Sequence, residues 1–272
     1  MMMPNPFANM TSQWSFDLCV PQQIPPEIPD LIRRGALFIV NHSAGKDSQA
    51  MMIELRSIVP ASQIVVVHAE LPEVEWDGSR EHIEATCQNF PIYYVMANKT
   101  LLGMVEARGM FPSPQYRQCT SDLKRGPITK LIRKLVRETG NSLIVNCIGL
   151  RAEESPGRKK QIPFKLDTKN SVAGREWYTW LPIHAMLEWQ VFAAIDAAGE
   201  KSHWVYEAGM TRKSCSLCIM SSVQDLKTAA RLRPALYERY VRLERRIGQT
   251  MLMPVNGRRR FLDEVVGIPV AA

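Results

Sequence analysis

The chain has 272 residues, 46% of them hydrophobic, which suffices for one sizeable α/β core with appended elements and excludes a second large domain. Lys and Arg outnumber Asp and Glu by 34 to 27, and the net charge of +7 points to an anionic partner: a nucleotide, a nucleic acid or a sulfate ester. No stretch approaches the roughly 18 uninterrupted apolar residues of a membrane span, and residues 1–9 lack a basic region followed by an apolar run, so a cytoplasmic protein with no membrane partner is expected.

The first 30 residues hold Pro4, Pro6, Pro21, Pro25, Pro26 and Pro29 with little periodicity, and residues 1–30 read as an extended arm. Residues 36–40 (ALFIV) are a short apolar run ending in a polar, glycine-containing turn. Residues 48–58 then show helical spacing through Met51, Met52 and Leu55, giving strand, loop and helix. Residues 63–68 (QIVVVH) read as a buried parallel strand, 79–89 as the crossover helix, 92–96 as a third strand, and 99–108 as a helix before a proline-bearing loop at 111–118. Gly126-Pro127 opens a basic helix, 128–139, and residues 142–148 (SLIVNCI) form a fourth buried strand. Residues 155–174 are polar and basic, as in a mobile loop over the ligand edge; a helix at 184–198, a cysteine-bearing turn at 215–218 and an arginine-rich helical stretch at 223–247 follow. The alternation predicts an α/β fold: a Rossmann-like parallel sheet with helices on both faces over residues 31–222, and a helical, basic C-terminal extension over 223–272.

Ser43-Ala44-Gly45-Lys46-Asp47-Ser48 lies between a strand and a helix, where backbone N–H groups and the helix dipole favour a polyphosphate. Gly45 admits close approach of the backbone, Lys46 supplies charge, Ser43 and Ser48 supply hydroxyls, and Asp47 can orient the loop or hold magnesium. The spacing is not that of a Walker loop, because Asp47 separates Lys46 from Ser48. Arg151 and Arg158, after the fourth strand, are candidates for bidentate contact with phosphate or sulfate, and Lys124 is a third cation of this kind. Glu70, just after the second strand, is a candidate for ribose or metal, with a surface carboxylate as the alternative.

Six cysteines in a cytosolic chain point to metal or catalysis before a disulfide framework. Cys215 and Cys218 form a C-x-x-C pair, a spacing that lets two thiolates reach one metal centre; zinc, iron–sulfur and a redox pair all remain open on spacing alone. Cys19 and Cys87 read as structural, and Cys147 either packs into the sheet or adds a ligand.

The loop at Ser43–Ser48 resembles the SGGKDS pyrophosphate-binding loop of N-type ATP pyrophosphatases and phosphoadenosine-phosphosulfate (PAPS) reductases, with Ala44 in place of one glycine. Four further segments are similar to that superfamily in its own order: Cys119-Thr120-Ser121-Asp122-Leu123-Lys124 with Pro127; Gly149-Leu150-Arg151-Ala152-Glu153-Glu154-Ser155; Trp180-Leu181-Pro182-Ile183; and Tyr206, Gly209, Arg212, Cys215 and Cys218 as in Y-x-x-G-x-x-R-x-x-C-x-x-C. The resemblance implies an adenine nucleotide alpha-hydrolase-like fold that binds ATP or a sulfonucleotide with Mg2+. It also implies an iron–sulfur cluster of the 4Fe-4S type on Cys119, Cys215 and Cys218, although Thr120 stands where the family's reductases carry a second adjacent cysteine.

No cysteine follows Cys218, so the thiosulfonate that sulfonucleotide reductases form near their chain end is not offered by these residues. The R-x-x-C-x-x-C-I ending is closer to the sulfur-transfer branch that supports DNA phosphorothioation, or to relatives that thiolate tRNA. That branch implies an ATP pyrophosphatase in which Lys46, Asp47 and Arg151 act in catalysis. Its partners would be DNA or tRNA, a cysteine desulfurase or other sulfur donor, and a second copy of the chain. A reductase using an external thiol and a non-catalytic nucleotide-binding regulator are the rival readings.

Overall fold

The computed structural model describes residues 24–270. The arm expected over residues 1–30 and Cys19 within it fall outside these up to residue 23; beyond it, Ile28–Arg33 is already helix α1, with Ile28 and Leu31 in the core. Then come β1 (Leu37–Asn41), α2 (Lys46–Ile58), β2 (Ile64–Ala69), α3 (Ser79–Thr86), β3 (Ile92–Val95) and α4 (Leu101–Arg108). A short α5 (Gln118–Thr120) passes through a π turn at Ser121–Arg125 into α6 (Gly126–Thr139), and β4 (Leu143–Ile148) follows. The chain continues through α7 (Pro156–Lys159), β5 (Phe164–Leu166), β6 (Glu176–Trp180), α8 (Glu188–Ala197), α9 (Val223–Leu232), α10 (Pro234–Ile247) and α11 (Leu262–Val266).

The six strands form one sheet in the order β3-β2-β1-β4-β6-β5, parallel except for β5, which pairs antiparallel with β6. Alternation along β1 divides the apolar side chains between two layers. Phe38 and Val40 join Met51, Met52 and Leu55 of α2, Ile83 of α3, and Val191 and Ile195 of α8 on one face. Ile39 joins Val65, Val67, Ile144 and Trp177 beneath Ile132 and Leu135 of α6 on the other. Each such side chain fully buried contributes roughly 1.5–3 kcal/mol, so covering both faces is what makes a central parallel strand stable. A third core lies beyond the sheet's end, where Leu71, Val74 and Trp76 pack with α4 and with Leu226, Tyr237 and Tyr240 of α9 and α10. Residues 223–266 are thus built into the same body as the sheet's loops.

Two expectations need correction. Residues 155–174 are not simply a loop: they carry α7 and the edge strand β5. Residues 176–180 (EWYTW) are a strand that hydrophobic runs do not reveal, because only Trp177 and Trp180 are buried while Glu176, Tyr178 and Thr179 are half-exposed. The helix expected from residue 184 starts at Glu188, after turns that bond His184 N–H to Leu181 O and Met186 N–H to Ile183 O. Among the described residues no helix is long and apolar enough to cross a membrane.

Between β1 and β4 the strand order reverses, and both strands end at the same edge, at Asn41 and Ile148. A cleft forms at such a switch point because the loops leave in opposite directions.

Candidate functional site

The loop after β1 is held in shape by its own bonds. Ser43 N–H donates to Ser48 Oγ (3.0 Å), Ala44 N–H to His42 Nδ1 (3.2 Å), and Ser48 Oγ to Gly45 O (2.9 Å). Lys46 N–H donates to the phenol oxygen of Tyr206, 160 residues away, at 3.0 Å. The turn requires a left-handed residue, and Ala44 fills it at φ 58°, a conformation that costs an L-residue roughly 1–2 kcal/mol and glycine nothing. The 13-residue α2 begins here, so first-turn N–H groups and the positive end of its dipole face the cleft. Across it, Gly149 follows β4, and a Cβ at that position would lie 3.0 Å from Asp47 O and 3.2 Å from Ser48 N. Glycine there is what lets the two loops touch.

A cavity of about 340 Å³ lies over this loop. Five cationic side chains line it, Lys124, Arg125, Arg158, Arg212 and Lys213, with three carboxylates, Asp47, Glu75 and Glu154. Each carboxylate already meets a cation: Asp47 accepts from Arg151 Nε at 2.6 Å, Glu75 from Lys213 Nζ at 3.1 Å, and Glu154 from Arg158. Among the described residues no carboxylate of the cavity is left uncommitted for magnesium. Lys124, Arg125 and Arg212, by contrast, have no ion-pair partner among the described residues. The first two lie in the π turn at Ser121–Arg125, an irregularity frequent at functional sites.

Of the residues expected in the nucleotide site, Ser43, Gly45, Asp47, Ser48, Lys124 and Arg158 line the cavity, and Ala44 lies buried in the loop beneath it. Lys46 does not line it. Its side chain is buried under the loop, with Nζ 3.1 Å from Glu188 and 5.4 Å from the Tyr206 ring centroid. Arg151 is buried too, spent on Asp47, Glu153 and Met186 O, and so holds the two loops together. Glu70 is turned to Arg80 at 2.5 Å and stays outside. Lys46 and Arg151 are thus both paired with carboxylates within the protein, Lys46 with Glu188 and Asp47 and Arg151 with Asp47 and Glu153.

No local pattern marks Lys213 and Glu75, which lie 138 residues apart and meet only in the fold. Lys213 Nζ also donates to Ser43 O at 2.7 Å, pinning the phosphate loop from behind. Burial pulls the Lys213 ammonium below its ordinary range, with Glu75 opposing. Burial would raise the Glu75 carboxyl, yet His68 and Lys213 take it down to about 2.

Cys215 lines the cavity, and Cys119 and Cys215 both pack against the core shared by α9 and α10. Burial first, then the charge of Cys218, raises the Cys119 thiol; burial takes Cys215 up to about 11, with Cys218 and Cys119 adding to it and Lys124 opposing. No set of three or more His, Cys, Asp or Glu among the described residues is arranged around a single metal ion. The cysteine turn is pinned by Ser216, whose N–H donates to Val74 O at 2.8 Å and whose Oγ accepts from Arg233 at 2.9 Å. Cys147 packs in the sheet core, with burial raising its thiol far above the ordinary range, and Cys87 is likewise buried.

Beneath the loop, burial depresses three histidines: His42 well below its usual range, His82 to about 4 and His203 to about 3. Unfolded, each would take up a proton near pH 6.5. Burial pushes the Glu244 carboxyl the other way, up to about 7. Between pH 6.5 and 4.5 the unfolded chain therefore binds about three more protons at these histidines and about one fewer at Glu244. Stability present above pH 6.5 should fall with acidification by about 3 kcal/mol per pH unit near pH 5.5. Urea midpoints at pH 7, 6 and 5 measure it, and a flat profile would remove the buried neutral histidines.

The family model for the phosphoadenosine phosphosulfate reductase domain matches residues 38–243, well over half of the chain. The chain belongs to this family. The PAPS reductase domain runs from β1 through most of α10, and so includes the loop after β1 and Cys119, Cys215 and Cys218. An uncharacterized protein of Methanocaldococcus jannaschii is 23% identical over 206 residues; the match takes in 74% of this chain and only 40% of that protein's length. Among solved structures, FMN adenylyltransferase of Candida glabrata is similar at a TM-score of 0.47 and 12% identity, covering 71% of this chain and 57% of that one. The phosphoadenylyl-sulfate reductase of Candida auris, in a phosphate complex, is similar at a TM-score of 0.44 and 11% identity, covering 69% and 87%.

Proposed function

We propose that this PAPS reductase domain is a nucleotide-activating sulfur-transfer enzyme, an ATP pyrophosphatase that modifies nucleic acid. The observation that carries the reading is one cavity in which a preformed phosphate loop, three cations without partners and the Cys215 thiol all meet. The N–H groups of the loop and the side chains of Lys124, Arg125 and Arg212 would hold the polyphosphate and offset charge growing on pyrophosphate as it leaves. An acceptor oxygen attacks the α-phosphorus of ATP, the bond to the β-phosphate's bridging oxygen breaks, and pyrophosphate departs. Sulfide sulfur then attacks the adenylylated atom, and AMP leaves with the original oxygen. Cys119, Cys215 and Cys218 would hold the iron–sulfur cluster, which would supply the sulfur for this step. A cysteine desulfurase or another donor would reload it. Arg151 and Lys46 position Asp47 and the loop without touching substrate.

A sulfonucleotide reductase with an external thiol is the second reading, favoured by the same cysteines at the same cavity. Anaerobically purified protein separates the two. It should contain about four iron and four sulfide per chain and form pyrophosphate and AMP from ATP. Serine at Cys119, Cys215 or Cys218 should bleach the chromophore, and serine at Cys87 should not. Iron-free protein that yields stoichiometric sulfite from a sulfonucleotide would reverse the ranking.

A further inference from the structure

α6 covers β1 and β2 on its face of the sheet and stops short of β6, so a groove of about 1170 Å³ remains between α6 and the β5–β6 edge. Its charge is one-sided. Arg125, Lys130, Arg133 and Arg137 stand along the α6 wall, and Lys165 and Lys169 along the other. None of the six makes an ion pair among the described residues. The carboxylate of Asp167, the acid in the groove, is used by its own turn, accepting from Asn170 N–H at 3.2 Å and Asn170 Nδ2 at 2.8 Å. Arg133 Nη2 reaches across to Asn170 Oδ1 at 3.0 Å, so the walls are tied at a fixed spacing.

Exposed arginines on an amphipathic helix ordinarily mean only a solvated face. Three features set this groove apart. A wholly unpaired set of like charges on two facing walls destabilises the free protein and is relieved by an anion. The floor offers polar side chains, Asn146 and Thr179, with the indole N–H of Trp177 buried and without an acceptor. And the groove runs into the nucleotide cavity: Asn41, Arg125, Ile128 and Ile148 line both. Lys130, Arg133 and Arg137 span seven helical steps, roughly 10 Å, which matches about three inter-phosphate steps at the roughly 3.4 Å rise of a stacked strand.

We propose that this groove binds a single nucleic-acid strand by its phosphodiester backbone and leads one nucleotide into the cavity. The inference rests on the sulfur-transfer reading for its purpose, and its test does not depend on catalysis. Fluorescence anisotropy with a 5′-fluorescein 12-mer of mixed sequence, as DNA and as RNA, measures binding without ATP at 50 and 200 mM salt. The full chain should bind one or both strands more tightly than the corresponding duplex. Lys130→Gln/Arg133→Gln/Arg137→Gln should weaken binding at least about 10-fold and flatten the salt dependence by about 2 log units per log unit, three contacts at about 0.7 each. Lys165→Gln/Lys169→Gln, on the opposite wall, should weaken it several-fold, and Lys134→Gln, outside the groove, should not. Circular dichroism confirms that the variants fold. No binding by the full chain at 50 mM salt, preference for duplex, or retained affinity in the folded triple variant would overturn the proposal. The DNA and RNA arms identify the source of the strand. Strand binding that persists in a protein unable to release pyrophosphate would leave the groove standing and remove the catalytic reading.

Discussion

Lys213→Met should lower folding free energy by about 3–5 kcal/mol, the usual consequence of leaving a buried carboxylate without its partner. The Lys213 side chain is almost wholly buried, and its ammonium bridges Glu75 and the Ser43 carbonyl, so the substitution abandons two acceptors at once. Removing both charges, as Lys213→Met/Glu75→Gln, should recover part of the loss, because the amide needs far less compensation than the carboxylate. His68 would still reach residue 75 through its Nε2. Urea denaturation of the four members of this cycle gives the coupling directly. If Lys213→Met alone costs under about 1 kcal/mol, the pair is not the internal strut described above.

Lys124→Ala/Arg212→Ala should reduce kcat/KM for pyrophosphate release from ATP by about 1000-fold or more with little change in stability. Removal of one preorganised charge or donor from a developing anion typically costs about 100-fold to 1000-fold, and these two side chains make no ion pair among the described residues. Lys46→Ala differs in kind. Its ammonium sits against Glu188 and Asp47 and beneath the loop, so it should act on stability and on loop order together. Steady-state rates beside thermal midpoints separate the cases. Turnover undiminished in the Lys124/Arg212 variant would mean that the polyphosphate lies elsewhere.

Much of this fold is legible in the chain. The apolar runs at β1, β2 and β4 are buried on both faces, and such strands announce themselves as continuous Val and Ile. β6 is hidden because its outer positions are half-open and polar, and β5 because three residues, Phe164–Leu166, carry too little pattern to distinguish strand from loop. At the site, the loop at Ser43–Ser48 is visible because phosphate chemistry constrains neighbouring residues. The roles within it are less so. Whether Lys46 or Lys124 faces the cavity depends on Glu188, which is 142 residues from Lys46 and leaves no trace near it. The Lys213–Glu75 strut is invisible for the same reason: pairings across the whole chain belong to the tertiary fold.

The core shared by α9, α10 and the cysteine turn also sets an order of events during synthesis. Cys119 packs against a cluster whose other members include Tyr237, Tyr240 and Val241, and Arg233 braces the turn that carries Cys215 and Cys218. At roughly 5–20 residues per second, the ribosome needs roughly 6–24 s to travel from Cys119 to Tyr240. Through that interval the first thiol is made but its neighbours and its apolar cover are not. Until α10 is made, Cys119 therefore lacks the apolar cover that the folded chain gives it.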